Sequence, residues 1–117
     1  MSYEKSSGIE NRRSQRLTLH IPVRVRWTPP HEPPIAEDTV TLVVNAHGAL
    51  ISLAMRVKPG TRVYVKNPAL ALDKECRIVR VQEIPHGKSE VAVEFMQPDS
   101  KFWGPQYAPA GAKEFDS

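Results

Sequence analysis

The sequence predicts an all-β fold, a small six-stranded antiparallel barrel, on three observations. Apolar and polar residues alternate over long stretches, eleven prolines punctuate 117 residues, and few segments carry the 3.6-residue period of an amphipathic helix. Short strands joined by short turns are expected to close on themselves, because closure removes unpaired edges. The length suits one domain, since two would each bury too little surface. An apolar share of 40% and a charged share of 25% are ordinary for a globular chain and exclude wholesale disorder.

Residues 1–10, MSYEKSSGIE, are polar and aperiodic and are expected to form a flexible leader. The barrel is expected over 11–104, with a tail over 105–117. Leu17, Leu19, Ile21, Val23, Val25 and Trp27 take the odd positions, and Thr18, His20, Pro22, Arg24 and Arg26 the even ones. Period two over that length is a half-buried strand with its odd residues inside. Pro22 has no N–H to donate, so a bulge or an edge is expected there. TPPHEPPIAED (28–38) reads as a stiff Pro-rich connection with no reason to pack. TVTLVV (39–44) is β-branched and reads as the second strand, NAHG (45–48) breaks it, and ALISLAM (49–55) returns. In VKPGTRVYVKN (57–67) a Pro-Gly turn leads into a strand on Val63 and Val65. KECRIVRVQEI (74–84) and EVAVEF (90–95) pair around the PHGK turn at 85–88. Phe102, Trp103, Tyr107 and Phe115 crowd the tail, and so much aromatic surface is expected to plug a barrel end.

Catalytic signatures are missing from the sequence. There is no Gly-rich phosphate loop before a helix, no G-x-S-x-G and no H-E-x-x-H. His20, His31, His47 and His86 lack ligand spacing, and the carboxylates fall mostly in leader, loops and tail. Neither enzymatic activity nor a cofactor or metal is expected. Cys76 stands alone, so it forms no intramolecular disulfide, and its strand-like neighbours predict a buried, inert thiol. The N-terminus lacks the charged start and apolar core of a signal peptide. No apolar run approaches the ~18 residues of a membrane span. A soluble protein of the reducing cytoplasm is the expectation. Net charge of +3 suits an anionic partner without naming one. No strand is expected to interleave basic with exposed aromatic residues, which argues against a platform for single-stranded nucleic acid.

What remains is NRRSQRLTLHIPVRVRW (11–27), where Arg12, Arg13 and Arg16 crowd in front of an ordered strand. Basic runs are usually just solvated, but this one leads into a strand rather than into more tail. Guanidinium is planar, permanently charged and forked. It can hold a phosphate bidentately, stack on a purine or grip guanine O6 and N7. A ligand offering both phosphate and guanine would engage all three modes.

With that segment in view, the chain resembles PilZ domains, bacterial receptors for cyclic di-GMP. RRSQR followed by LTLHIPVRVRW is similar to the family's opening, an R-x-x-x-R motif that Arg12 and Arg16 satisfy. The likeness continues through NAHGALISL, VKPGTRVYV, VAVEF and FWG, covering residues 11–104. The resemblance implies a split, Greek-key barrel whose ligand lies between the arginine segment and a second motif, D/N-x-S-x-x-G, at a strand turn. That second motif departs from the pattern. Aligned without gaps on Gly48, Val43 takes the Asp/Asn position and Asn45 the Ser position. Aligned on Asn45, His47 takes the Ser position and Gly48 comes two residues early.

Under the first alignment the family's acceptor for guanine N–H groups is lost. Asn45 still offers amide donors and an acceptor, Gly48 allows close backbone approach, and His47 could stack or donate. The expected ligand-binding set is therefore Arg12, Arg13, Arg16, Asn45, His47 and Gly48. One unpaired guanine donor costs about 1–3 kcal/mol, or roughly one to two decades in affinity. The resemblance implies a cyclic di-GMP-binding regulatory module that relays second-messenger level to an effector protein by contact. The alternative is a degenerate barrel that binds a protein and no nucleotide.

Overall fold

Six strands account for the regular structure in the computed structural model, which describes residues 16–85, 87–105 and 107. They are β1 (Pro22–Trp27), β2 (Ile35–Asn45), β3 (Gly48–Leu53), β4 (Arg62–Asn67), β5 (Leu72–Gln82) and β6 (Ser89–Phe95). The strands close into a barrel in the order β1-β2-β3-β6-β5-β4, with every neighbouring pair antiparallel. β1, β2 and β3 form a meander, and β4 returns to lie beside β1, which is the Greek-key arrangement. No helix among the described residues is long and apolar enough to cross a membrane.

The alternation in the first strand has its expected result. Ile21, Val23 and Val25 are buried, and Leu17, Leu19 and Trp27 pack partly buried against the same core. Arg24 and Arg26 face outward. Arg24 meets Asp38, its direct cross-strand neighbour, at 2.7 Å. Arg26 pairs with Asp73 and lies 5.3 Å from the centre of the Tyr64 ring. Contrary to the expectation, one strand does interleave basic with exposed aromatic residues: Arg62, Tyr64 and Lys66 all face outward on β4. Such exposed pairs each contribute about 0–1 kcal/mol, so barrel stability rests on the interior. Val23, Val25, Val63, Val65, Ile51 and Val91 fill it. Cys76 is there too, fully buried, and burial pushes its thiol up to about 12, so at neutral pH it is an inert apolar filler.

Two strand starts lie furthest from the expectation, while limits such as those of β3 and β5 shift by smaller amounts. The continuous ladder of β1 starts at Pro22 rather than Leu17. The first residue of a strand is a place where a missing N–H costs little. β2 starts at Ile35, so Ile35–Asp38 belong to the sheet and not to the Pro-rich connection. Their backbone groups find partners on β1, where Trp27, Arg26, Val25 and Arg24 lie directly opposite. The connection proper is residues 28–34.

One barrel end is plugged, as the aromatic tail predicts. Phe102, Trp103 and Tyr107 are all buried. Phe102 and Trp103 meet edge to face at 4.8 Å, and both contact Phe95, at 5.1 and 5.6 Å. The Asn67 side chain fastens the plug by donating from Nδ2 to the Phe102 carbonyl at 2.8 Å. The leader (1–10) and Phe115 lie outside the described residues.

Candidate functional site

Two β-bulges decide which side chains face outward on the β2-β3-β6-β5 sheet. In β2 the register shifts between Thr41 and Val43. Strict alternation would send Val43 to the same side as Thr41, which is fully buried. The extra residue, Leu42, reverses the parity, so Val44 enters the core and Val43 stands half-buried on the outer face. In β5 the register shifts between Ile78 and Arg80. Ile78 points inward, Val79 and Arg80 both face solvent, and Val81 rejoins the interior. Bulges bend the strand and raise its local twist.

Between the two bulges, Val43, Leu50, Ala92 and Arg80 form one cross-strand row over four strands. Three inter-strand steps set the ends of that row roughly 14 Å apart. An open depression of about 420 Å³ lies here, and its lining includes Arg16, Val43, Asn45, His47, Val79 and Arg80. A larger depression, about 750 Å³, opens at the other barrel end on Trp27, Met55, Val57 and Ile84. It contains none of the expected ligand-binding residues, so we place the candidate site at the smaller one.

Arg16 reaches that depression through backbone pairing just ahead of β1. The Leu17 N–H donates to the Val44 carbonyl at 2.9 Å, and the Val44 N–H to the Leu17 carbonyl at 2.8 Å. Arg16 therefore sits one residue from a bridge whose partner lies between Val43 and Asn45. Thr41 pegs the rest of the segment to β2. Its hydroxyl donates to the Leu19 carbonyl at 2.6 Å and accepts from the Ile21 N–H at 2.9 Å. Both roles of a buried hydroxyl are filled.

The β2–β3 turn gives Asn45 and Gly48 local duties the sequence does not reveal. Asn45 Oδ1 accepts from the backbone N–H groups of His47 (2.7 Å) and Gly48 (2.9 Å). This is an Asx-type turn. The side-chain acceptor expected for a ligand is thus engaged by the turn, and the amide NH₂ is the part left to offer. Gly48 is buried against β6, and a Cβ placed there would sit 2.0 Å from the Val93 carbonyl oxygen. The close approach that requires this glycine is that of the neighbouring strand. The turn is also tied to the plug. Trp103 Nε1 donates to the Asn45 carbonyl at 2.8 Å, Phe95 N–H to His47 at 2.7 Å, and Asp99 N–H to Ala46 at 2.9 Å.

Of the expected set, the structure gathers Arg16, Asn45, His47 and Gly48 at one depression, while Arg12 and Arg13 lie outside the described residues. His47 is exposed on the turn. The residue that sequence reasoning missed is Arg80. It comes from a strand late in the chain with no motif around it, and only barrel closure and the β5 bulge bring it to this face. Arg24, Arg26, Arg62 and Arg77 each have a carboxylate partner. Among the described residues, Arg16, Arg56 and Arg80 have none, and of these Arg16 and Arg80 line the depression. Glu94, the acid in the depression, is held by Arg77 at 2.9 Å. The site is an apolar floor with an unpaired guanidinium at either side, suited to a flat anion.

Compared with known protein families, residues 10–102 match the PilZ domain. No curated protein matches the chain.

Proposed function

The chain belongs to the PilZ domain family, and from that premise we propose that the depression between the two bulges binds cyclic di-GMP under the arginine segment. One observation carries the reading. Arg16 stands without a carboxylate partner among the described residues, beside Val43 and Asn45, over an apolar floor. In this reading Arg12 and Arg16 hold phosphate and guanine, Arg13 adds positive field, the Asn45 amide donates, and Gly48 and His47 complete the wall. A cytoplasmic module of this kind acts without catalysis, by presenting a ligand-dependent surface to an effector protein.

Calorimetric titration with cyclic di-GMP is the direct test, with Arg16→Ala beside Arg62→Ala. Arg62 is an exposed arginine paired with Glu75 at 3.1 Å, and it serves as the charge-matched control. Losing a charge-assisted hydrogen bond costs about 1.5–3 kcal/mol, so Arg16→Ala should weaken binding by roughly ten- to a hundredfold, with little change in melting temperature. Equal affinity in the two variants would remove Arg16 from the site. The second reading, a barrel that binds protein and no nucleotide, draws on Val43 and on the engaged acceptor of Asn45. It predicts no heat of binding from the native chain.

A further inference from the structure

Resting on the cyclic di-GMP reading, we infer that Arg80 reads the O6/N7 edge of a guanine, in place of acceptor readout of N1–H and N2–H from β2. Three observations converge on this residue. The β5 bulge turns Arg80 out of alternation and onto the outer face. It ends the row that begins at Val43, so it lies across the floor made by Leu50 and Ala92 from Arg16. It also lacks an ion pair among the described residues, while every other strand-borne arginine has one.

The acceptor side of the wall is correspondingly poor. Val43 is apolar, Asn45 Oδ1 is occupied by two backbone N–H groups, and the Glu94 carboxylate is held by Arg77. A base lying on the Leu50–Ala92 floor meets no free acceptor on β2, but it does meet a forked donor at the far side. Guanine presents two acceptors, O6 and N7, on one edge, and a guanidinium pairs with both. Adenine presents an acceptor and a donor there, and the fork cannot satisfy the donor. Hypoxanthine keeps O6 and N7 and lacks only the 2-amino group. Arg80 thereby sets a preference for 6-oxopurines that is blind to the 2-amino group.

The test is titration of the full chain and its Arg80→Ala and Arg80→Lys variants with cyclic di-GMP, cyclic di-IMP and cyclic di-AMP. The native chain should bind cyclic di-GMP and cyclic di-IMP within about threefold of each other and cyclic di-AMP far more weakly. Arg80→Ala should weaken both 6-oxopurine ligands by about ten- to a hundredfold, the worth of one bidentate base contact, and leave cyclic di-AMP little changed. Arg80→Lys keeps the charge but not the fork, and should recover less than half of that loss on a logarithmic scale. Full recovery with Lys would make Arg80 a phosphate contact and overturn the inference. So would an unchanged affinity in Arg80→Ala, or a native preference above tenfold for cyclic di-GMP over cyclic di-IMP. In those cases cyclic di-GMP binding by the native chain still stands. No binding by the native chain would overturn both.

Discussion

At the scale of single residues, Val43 shows how one extra residue changes the meaning of a sequence. In TVTLVV, plain alternation puts Val43 on the side of Thr41, in the core. The β2 bulge at Leu42 instead sends Val44 inward and leaves Val43 outside, opposite Leu50. Nothing in six β-branched and aliphatic letters marks which of them is the extra one, so this placement was not legible in the sequence. Val43→Asp should therefore be tolerated. It loses an apolar cross-strand contact and some β-propensity, about 1 kcal/mol together, and adds a carboxylate beside Arg16, which has no carboxylate partner among the described residues. The acceptor strengthens guanine recognition, and its competition for Arg16 offsets part of the gain. Cyclic di-GMP affinity should rise less than tenfold, with a new preference over cyclic di-IMP. A variant that melts several kcal/mol lower and binds no better would return Val43 to the core and displace the site.

At the scale of elements, all six strands were readable, from period two where it survives and from β-branched runs where the β2 and β5 bulges interrupt it. Their limits were less readable. The prolines at 29, 30, 33 and 34 suggested a connection running to residue 38, yet pairing with β1 recruits Ile35–Asp38 into β2. Likewise, alternation from Leu17 suggested a ladder throughout, yet residues 18–21 lie outside the continuous strand. They are held by Thr41, through its side chain and through its N–H to the Ile21 carbonyl at 3.0 Å, contacts no periodicity encodes. Thr41→Val tests that peg. It preserves shape but leaves the Leu19 carbonyl and the Ile21 N–H without their partner, at about 1–3 kcal/mol. Urea unfolding should show a loss in that range, and amide exchange should quicken over residues 17–21. If Arg16 depends on this segment for its position, cyclic di-GMP affinity should fall with it. Unchanged exchange in the variant would show that the backbone bonds suffice, namely the Leu17–Val44 bridge and the Thr41 N–H to the Ile21 carbonyl at 3.0 Å.

At the scale of the whole molecule, the candidate site and the aromatic plug share one turn. The sequence shows each part: aromatics concentrated in the tail, and NAHG as a break between strands. What it does not show is that barrel closure brings them together, just as it brings Arg80 of β5 across from Arg16. Trp103 is nearly fully buried, and its indole N–H ends on the Asn45 carbonyl, in the residue whose side chain folds the turn. Trp103→Phe keeps an aromatic ring against Phe95 and Phe102 but removes that donor and part of the ring volume. The unmet carbonyl and the small void together should cost about 2–4 kcal/mol, read as a lower urea midpoint. Two further bonds hold the turn, Phe95 N–H to His47 and Asp99 N–H to Ala46, so the fold should survive. The informative measurement is affinity. If Asn45 and His47 owe their positions to the plug, cyclic di-GMP should bind several-fold more weakly at temperatures where the variant is fully folded. Native affinity in a destabilised but folded variant would confine the plug to stability, with the other two bonds enough to set the site wall.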